Sequence, residues 1–298
     1  MDLLGFIPNR AAQSLSSGHN HTIGLLVPDI RNSFFAELAR GVEDRAHESG
    51  FSVVLGSTDF DHEREQRYLN LIRSRALDGL VYAAGAPPKL TFLLDIEREV
   101  PLVLADEEVP GFDSALVMAD HFEGGRLVAQ YLAALGHSQV LVISGPRELA
   151  SSVKRLTGFE EGFGSGHFDI HVGDFREGSG SNAIEAQDNP KRFAYTAVFA
   201  LNDLMAVGAI RALEAVGKRV PEDVSVIGFD DIALARLVNP TLTTVSQPAY
   251  RIGHFATARL LEAVEAGQRP SQFRHLLDVD LVVRASSAAR HLSEAIVG

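Results

Sequence analysis

Across 298 residues, 39 acidic side chains outnumber 27 basic ones for a formal net charge of −12, which excludes a body whose main surface tracks a phosphate backbone. The absence of cysteine excludes a disulfide framework, a thiolate nucleophile and a cysteine-bound metal. With 46% hydrophobic and 22% charged residues the chain reads as a globular protein too long for one ordinary domain, and no apolar run reaches the roughly 18 residues that a membrane span needs.

The amino terminus, MDLLGFIPNRAAQSL, lacks a cationic start followed by an unbroken apolar core, so a cytoplasmic protein is expected. Ile23–Val27 reads as a buried strand. The helix after it starts near Asn32-Ser33, carries Phe35, Ala39, Val42 and Ala46 on one stripe, and ends at Gly50. Further strands are expected at Val53–Leu55, Gly79–Ala84, Leu102–Leu104, Leu116–Met118 and Val140–Ile143. The segment Gly162–Asn182 is rich in glycine and polar residues. The helix before it is expected to stop at Gly162-Phe163-Gly164, and Gly178-Ser179-Gly180-Ser181 reads as a flexible turn. His167 and His171 have the i, i+4 spacing of a helix and His19 lies near His21, but without supporting carboxylates all four read as exposed side chains.

Ala197–Leu201 is a strand that stops at Asn202-Asp203. A helical period follows at Leu204, Val207, Ala209, Ile210 and Leu213, closed by Gly217, and a new strand runs from Val224 to Phe229 and stops at Asp230-Asp231. Thr243–Val245 precedes Gln247, and Leu276–Val283 is the last apolar run. Strands alternating with helices predict an α/β protein with parallel sheets covered on both faces.

In such sheets ligands bind outside the carboxyl ends of the strands. Asp29, Asn32, Asp106, Asn202, Asp230 and Gln247 stand there and would collect in one cleft. Carboxylates accept hydrogen bonds from hydroxyls and amides both donate and accept, which suits a polyol. Each residue also has an ordinary alternative as a turn residue or helix cap. Asn202 is the clearest case for capping, and Asp203 and Asp231 read as caps rather than ligands. Motifs for a nucleophile elbow, a phosphate loop, a dinucleotide fold or a zinc protease are absent, and nothing orders a nucleophile near Asp106 and Asp230. The expectation is a non-enzyme with no cofactor and no metal.

The wording VFALNDLMAVGAIRALEAVG…VPEDVSVIGFDD…LTTVSQP, with TIGLLVPDIRNSFFAELARGVEDRA, VPLVLADEEVPG, GGRLVAQYLAALGH and RLTGF, resembles the LacI/GalR family of bacterial transcriptional repressors. The resemblance implies two similar doubly wound parallel-sheet lobes joined by three crossovers near Met118–His121, Val245–Tyr250 and Leu276–Val279. Residues 22–118 plus 248–277 would form one lobe, 119–247 plus 278–298 the other, and 1–21 a hinge-helix remnant and linker. It also implies that Arg155 supplies a guanidinium to the effector pocket and that Phe34, Phe35 and Phe175 line it. Phe35 lies on the apolar stripe and reads equally well as core. The helix after the Arg-x-x-Gly-aromatic motif is shorter here than is usual in the family.

Pro8–Leu15 resembles the family hinge helix, which implies minor-groove contacts by Asn9, Arg10, Ala12, Gln13 and a wedging Leu15. The residues before it are too few for a helix-turn-helix, which takes on the order of 20 residues. A shortened version of a full repressor and a naturally headless protein both fit, and the hinge pattern beginning mid-motif favours the first. The expected function is the effector-sensing and dimerisation core of a repressor, with a pentose or hexose as effector. The chain would form a homodimer through the region Arg64–Arg73, meet operator DNA only when a head is attached, and have no membrane partner. The alternative is a periplasmic-type sugar-binding protein of a transporter.

Overall fold

A computed structural model describes residues 20–71, 77–85, 90–187 and 193–290, with Leu71 and Phe92 described by backbone only. Asn9, Arg10, Ala12, Gln13 and Leu15 lie outside the described residues. In chain order the elements are β1 (Thr22–Val27), α1 (Ser33–Glu48), β2 (Ser52–Ser57), α2 (His62–Leu71), β3 (Gly79–Tyr82), α3 (Leu90–Glu99), β4 (Leu102–Ala105), β5 (Ala115–Ala119), α4 (His121–Ala134), β6 (Gln139–Ser144) and α5 (Ala150–Phe163). Then follow β7 (His167–Val172), α6 (Glu177–Glu185), β8 (Ala197–Ala200), α7 (Asp203–Ala215), β9 (Ser225–Asp230), a 3-10 turn (Ala233–Arg236), β10 (Thr243–Ser246), α8 (Ala249–Ala266), β11 (Arg274–Leu277) and β12 (Asp280–Val282).

The chain divides into two compact units, Met1–Met118 with Ala249–Leu276, and Ala119–Pro248 with Leu277–Gly298. Each unit is built on a six-stranded sheet. In unit 1 the order is β11-β5-β4-β3-β1-β2, and the pairs from β5 to β2 are parallel. The inner strands β3, β4 and β5 are buried at every residue, as the unbroken apolar runs require of strands covered on both faces. In unit 2 the order is β12-β10-β9-β8-β6-β7, parallel except where β12 meets β10.

Glycines set how closely the helices approach. In α1 and α8 a side chain at Gly41 would sit 2.0 Å from the Tyr250 carbonyl oxygen, and one at Gly253 2.1 Å from that of Leu38. The same reciprocal contact recurs between α4 and α5, where Gly125 faces the Arg155 carbonyl oxygen at 2.0 Å and Gly158 that of Phe122 at 1.9 Å. It recurs again between α6 and α7, with Gly180 against Met205 and Gly208 against Glu177, both at 2.0 Å.

That last pair corrects the reading of Gly178–Ser181 as a flexible turn, because the segment is helical and Gly180 is a packing residue. The same stretch holds a further strand that the polar composition concealed. β7 is an edge strand whose residues are only partly covered, so His167 and His171 lie on a strand and not on a helix. The run Leu276–Val283 is two strands, β11 and β12, belonging to different sheets. The helix carrying Arg155 does end at Phe163, with Gly164 at φ 62°.

At the amino-terminal end of the unit 2 sheet, His137 is buried between Thr196 Oγ1 at 2.9 Å and the Ala288 carbonyl at 3.0 Å. Nε2–H donates to the carbonyl, while Nδ1 meets the hydroxyl, which also reaches the Gln139 carbonyl at 3.3 Å. Burial pushes its pKa below the ordinary histidine value, and nearby Arg290 adds to the effect.

Candidate functional site

The carboxyl ends of the unit 2 strands carry a cluster of polar side chains that bond to one another. Arg155 arises from α5 and is 4% exposed. Its Nη1 donates to the Leu201 carbonyl at 2.5 Å and its Nε donates to His121 Nδ1 at 3.3 Å. An acceptor at Nδ1 places the His121 proton on Nε2. The guanidinium lies 3.9 Å from the centroid of the Phe229 ring and 5.9 Å from that of Phe175, a cation–π arrangement on two rings. Arg155 Nη1 also stands 3.7 Å from Asp230 Oδ1.

Asp230 ends β9 in a backbone conformation rarely used by residues with side chains, φ 120°, and Asp231 follows at φ 54°. Gln247, just past β10, donates from Nε2 to Asp230 Oδ1 at 2.6 Å. Among the described residues its Oε1 is buried without a hydrogen-bond partner, so it can accept from a hydroxyl. Asn202 caps α7, with Oδ1 accepting from Met205 N–H at 2.9 Å, while Nδ2 donates to the Phe175 carbonyl at 2.8 Å. One amide therefore ends a helix and fixes Phe175, itself at φ 65°. The Phe175 ring lies against Gly145, where a methyl group would sit 2.1 Å from it.

Asp203 is not the helix cap that its position suggested. It is the first residue of α7, fully buried, with Oδ2 accepting from Ile232 N–H at 2.9 Å and Oδ1 2.5 Å from Thr244 Oγ1. Burial, and then the charge of Asp230, pushes its carboxyl well above the ordinary carboxylate range. Asp231 does not cap a helix either, since it pairs with Arg236 and Arg284.

Unit 1 holds the remaining candidates. Asn32 caps α1, with Oδ1 accepting from Phe34 N–H at 3.0 Å. Phe34 and Phe35 are both buried and meet edge to face with centroids 5.1 Å apart. Asp29 pairs with Arg31, which also reaches Asp59. Asp106 directly follows β4 at φ 65° and is buried, with one strand, β3, between β4 and β1.

Sequence reasoning brought out Arg155, Phe175, Asn202, Asp230 and Gln247, and unit 2 holds them together. It missed His121, Phe229 and Asp203 as parts of that cluster. Phe229 lay inside an apolar run and read as core. His121 carried one signal, a polar ring directly after the strand Ala115–Ala119 and its cap Asp120. Among the described residues no group of three or more His, Asp or Glu side chains is placed to hold a metal ion, and no helix is long and apolar enough to cross a membrane.

Residues 129–287 match a family model described as a periplasmic binding protein-like domain. The HTH-type transcriptional regulator DegA of Bacillus subtilis is 32% identical over 294 residues, covering 97% of this chain and 87% of the relative. A LacI family transcriptional regulator from Enterococcus faecium, solved with bound ribose, superposes with a TM-score of 0.80 at 31% identity, covering 91% of this chain and all of that one. The lac repressor dimer bound to operator and the anti-inducer ONPF superposes with a TM-score of 0.83 at 27% identity, covering 96% of this chain and 100% of that one.

Proposed function

The chain belongs to the LacI/GalR family of transcriptional regulators, and on that footing we propose that it senses a neutral sugar, a pentose or hexose, and passes the signal to operator DNA as a homodimer. The observation that carries the sugar reading is the buried array of Arg155, Asp230 and Gln247 at the strand ends of unit 2. One guanidinium offsets one carboxylate there, which favours a ligand without net charge. Asp230 accepts from hydroxyls, Arg155 donates from its place over the buried Phe229 ring, Gln247 Oε1 accepts, and the Phe175 ring offers a face to C–H groups.

The proposal includes ligand-driven rearrangement of the two units, which shifts the population of the dimer that presents its hinge to DNA. Asn32, Phe34, Phe35 and Asp106 are proposed as further effector contacts. Asn9, Arg10, Ala12, Gln13 and Leu15 are proposed to meet operator DNA in a chain that carries a helix-turn-helix.

Calorimetry across a panel of pentoses and hexoses tests the reading. One or more of them is expected to bind, and Asp230→Ala is expected to weaken that binding by at least about tenfold, or 1.4 kcal/mol. Binding of none, or an affinity indifferent to Asp230→Ala, rejects a sugar site here.

A further inference from the structure

The strand-end array in unit 2 contains a carboxyl that no ligand would touch. Asp203 is 0% exposed, yet it lies at the junction of three elements that carry the array. It opens α7, directly after Asn202. Its Oδ2 holds the Ile232 amide two residues beyond Asp230, and its Oδ1 meets Thr244 on β10, which in turn accepts from the Asp231 amide at 3.4 Å. Room for the carboxyl is made by Gly228 on β9, where a methyl group would sit 2.2 Å from Asp203 Oδ1. In the sheet register Gly228 stands opposite Thr244, so the carboxyl lies across both strands two residues before their paired ends, Asp230 and Ser246.

We propose that Asp203 is a positioning residue for effector binding: it ties α7, β10 and the turn after β9 into one block, so that Asn202 and Asp230 face the effector in fixed relation. The proposal rests on the reading of the strand-end array as the effector site. Its physical basis is the turn itself. Asp230 and Asp231 occupy left-handed backbone conformations at φ 120° and 54°, which persist only where the surroundings hold them. The turn has an anchor on each side. On one, Asp231 pairs with Arg284 and Arg236; on the other, Asp203 and Thr244 take the amides of Ile232 and Asp231. Without the second anchor the turn can relax and carry the Asp230 carboxylate away from Arg155 and Gln247.

A buried carboxyl beside a second one is a costly way merely to hold a helix in place. The cost falls if Asp203 keeps its proton, which is the direction in which burial and the Asp230 charge drive it. Thr244 Oγ1 and the Ile232 amide both donate to the carboxyl, and an asparagine carboxamide can meet the same two groups, its oxygen accepting from Ile232 and its nitrogen donating to Thr244 Oγ1.

The test compares Asp203→Ala, Asp203→Asn, Thr244→Val and, as a control for stability alone, Leu213→Ala in the buried face of α7. Two readouts are used: the dissociation constant for D-ribose, and the NMR signals of the Ile232 amide and the Asp230 carboxyl carbon without any sugar. Asp203→Ala should weaken D-ribose binding by about tenfold or more and shift both signals, while Asp203→Asn should stay within about threefold and restore them. Thr244→Val should shift the same two signals, which keeps the test decisive if Asp203→Ala does not fold. Leu213→Ala should lower the melting temperature and leave the affinity and both signals unchanged. If the wild-type chain does not bind D-ribose, the choice of sugar fails and the NMR arm decides the positioning role by itself. Unshifted Ile232 and Asp230 signals in Asp203→Ala and Thr244→Val, or D-ribose affinity equal to wild type in both, overturn it.

Discussion

Both units end their strands in polar residues, but they use them differently. In unit 2, Asp230 pairs with Arg155 and accepts from Gln247, and Asn202 holds the backbone of Phe175. In unit 1, Asn32 serves its own helix, Asp29 is held by Arg31, and Phe34 and Phe35 pack together. The difference teaches that a polar residue at a strand end is a weak sign of a binding site until its partners are known. Where side chains at several strand ends are wired together, their geometry is fixed before a ligand arrives, and less ordering cost remains for binding.

Removing the guanidinium breaks the unit 2 network most completely. Arg155→Ala leaves the Asp230 carboxylate buried without its cation, and a loss of about 3–5 kcal/mol in unfolding free energy is expected, with sugar binding reduced more than about a hundredfold. Urea titration and calorimetry measure the two effects. A variant that keeps its affinity would show that the network is ordinary core.

The two capping asparagines give a matched comparison. Each accepts from a backbone amide in the first turn of a helix, so Asn32→Ala and Asn202→Ala should each cost about 1 kcal/mol in stability. Only Asn202 also holds the Phe175 carbonyl. Its loss should weaken sugar binding by about tenfold, against about threefold or less for Asn32. Equal effects on affinity would erase the distinction between the units.

The smallest expected effect separates the two ends of unit 2. His137 has its pKa lowered by burial, so the folded state prefers the neutral ring. Its contribution to stability is present above about pH 6.5 and is lost as the pH falls below that toward the depressed folded value. His137→Gln should flatten this part of the stability profile in urea titrations between about pH 7 and 5, while sugar affinity measured at pH 7.5 stays the same. A change in affinity would mean that the two ends of the sheet are coupled.

Most of the fold was legible because buried parallel strands are apolar throughout and helices carry a period of 3.6 residues. The exceptions have physical reasons. β7 is an edge strand with little to bury, so its composition resembles a loop. The α6 glycines suggest flexibility in a sequence, yet Gly180 is small because the α7 backbone passes against it. In the site, Asp230, Asn202 and Gln247 were visible because they interrupt apolar runs. Phe229 and Asp203 were not, since a phenylalanine at the end of a strand looks like core and an aspartate at the start of a helix looks like a cap. Their roles depend on what lies across the sheet, which spacing along the chain does not encode.

The paired glycines between α1 and α8, α4 and α5, and α6 and α7 carry a consequence for how this chain tolerates change. At each, the space for even one methyl group is taken by the other helix's carbonyl oxygen. In a saturation library these positions would appear as two sharp minima per helix pair, and an alanine at one could be rescued only by moving both backbones together. For the pair joining Gly125 to the carbonyl of Arg155, the movement would carry the guanidinium with it. A change made for thermal tolerance at that position would therefore be paid in recognition, and selection on either property alone would report on both.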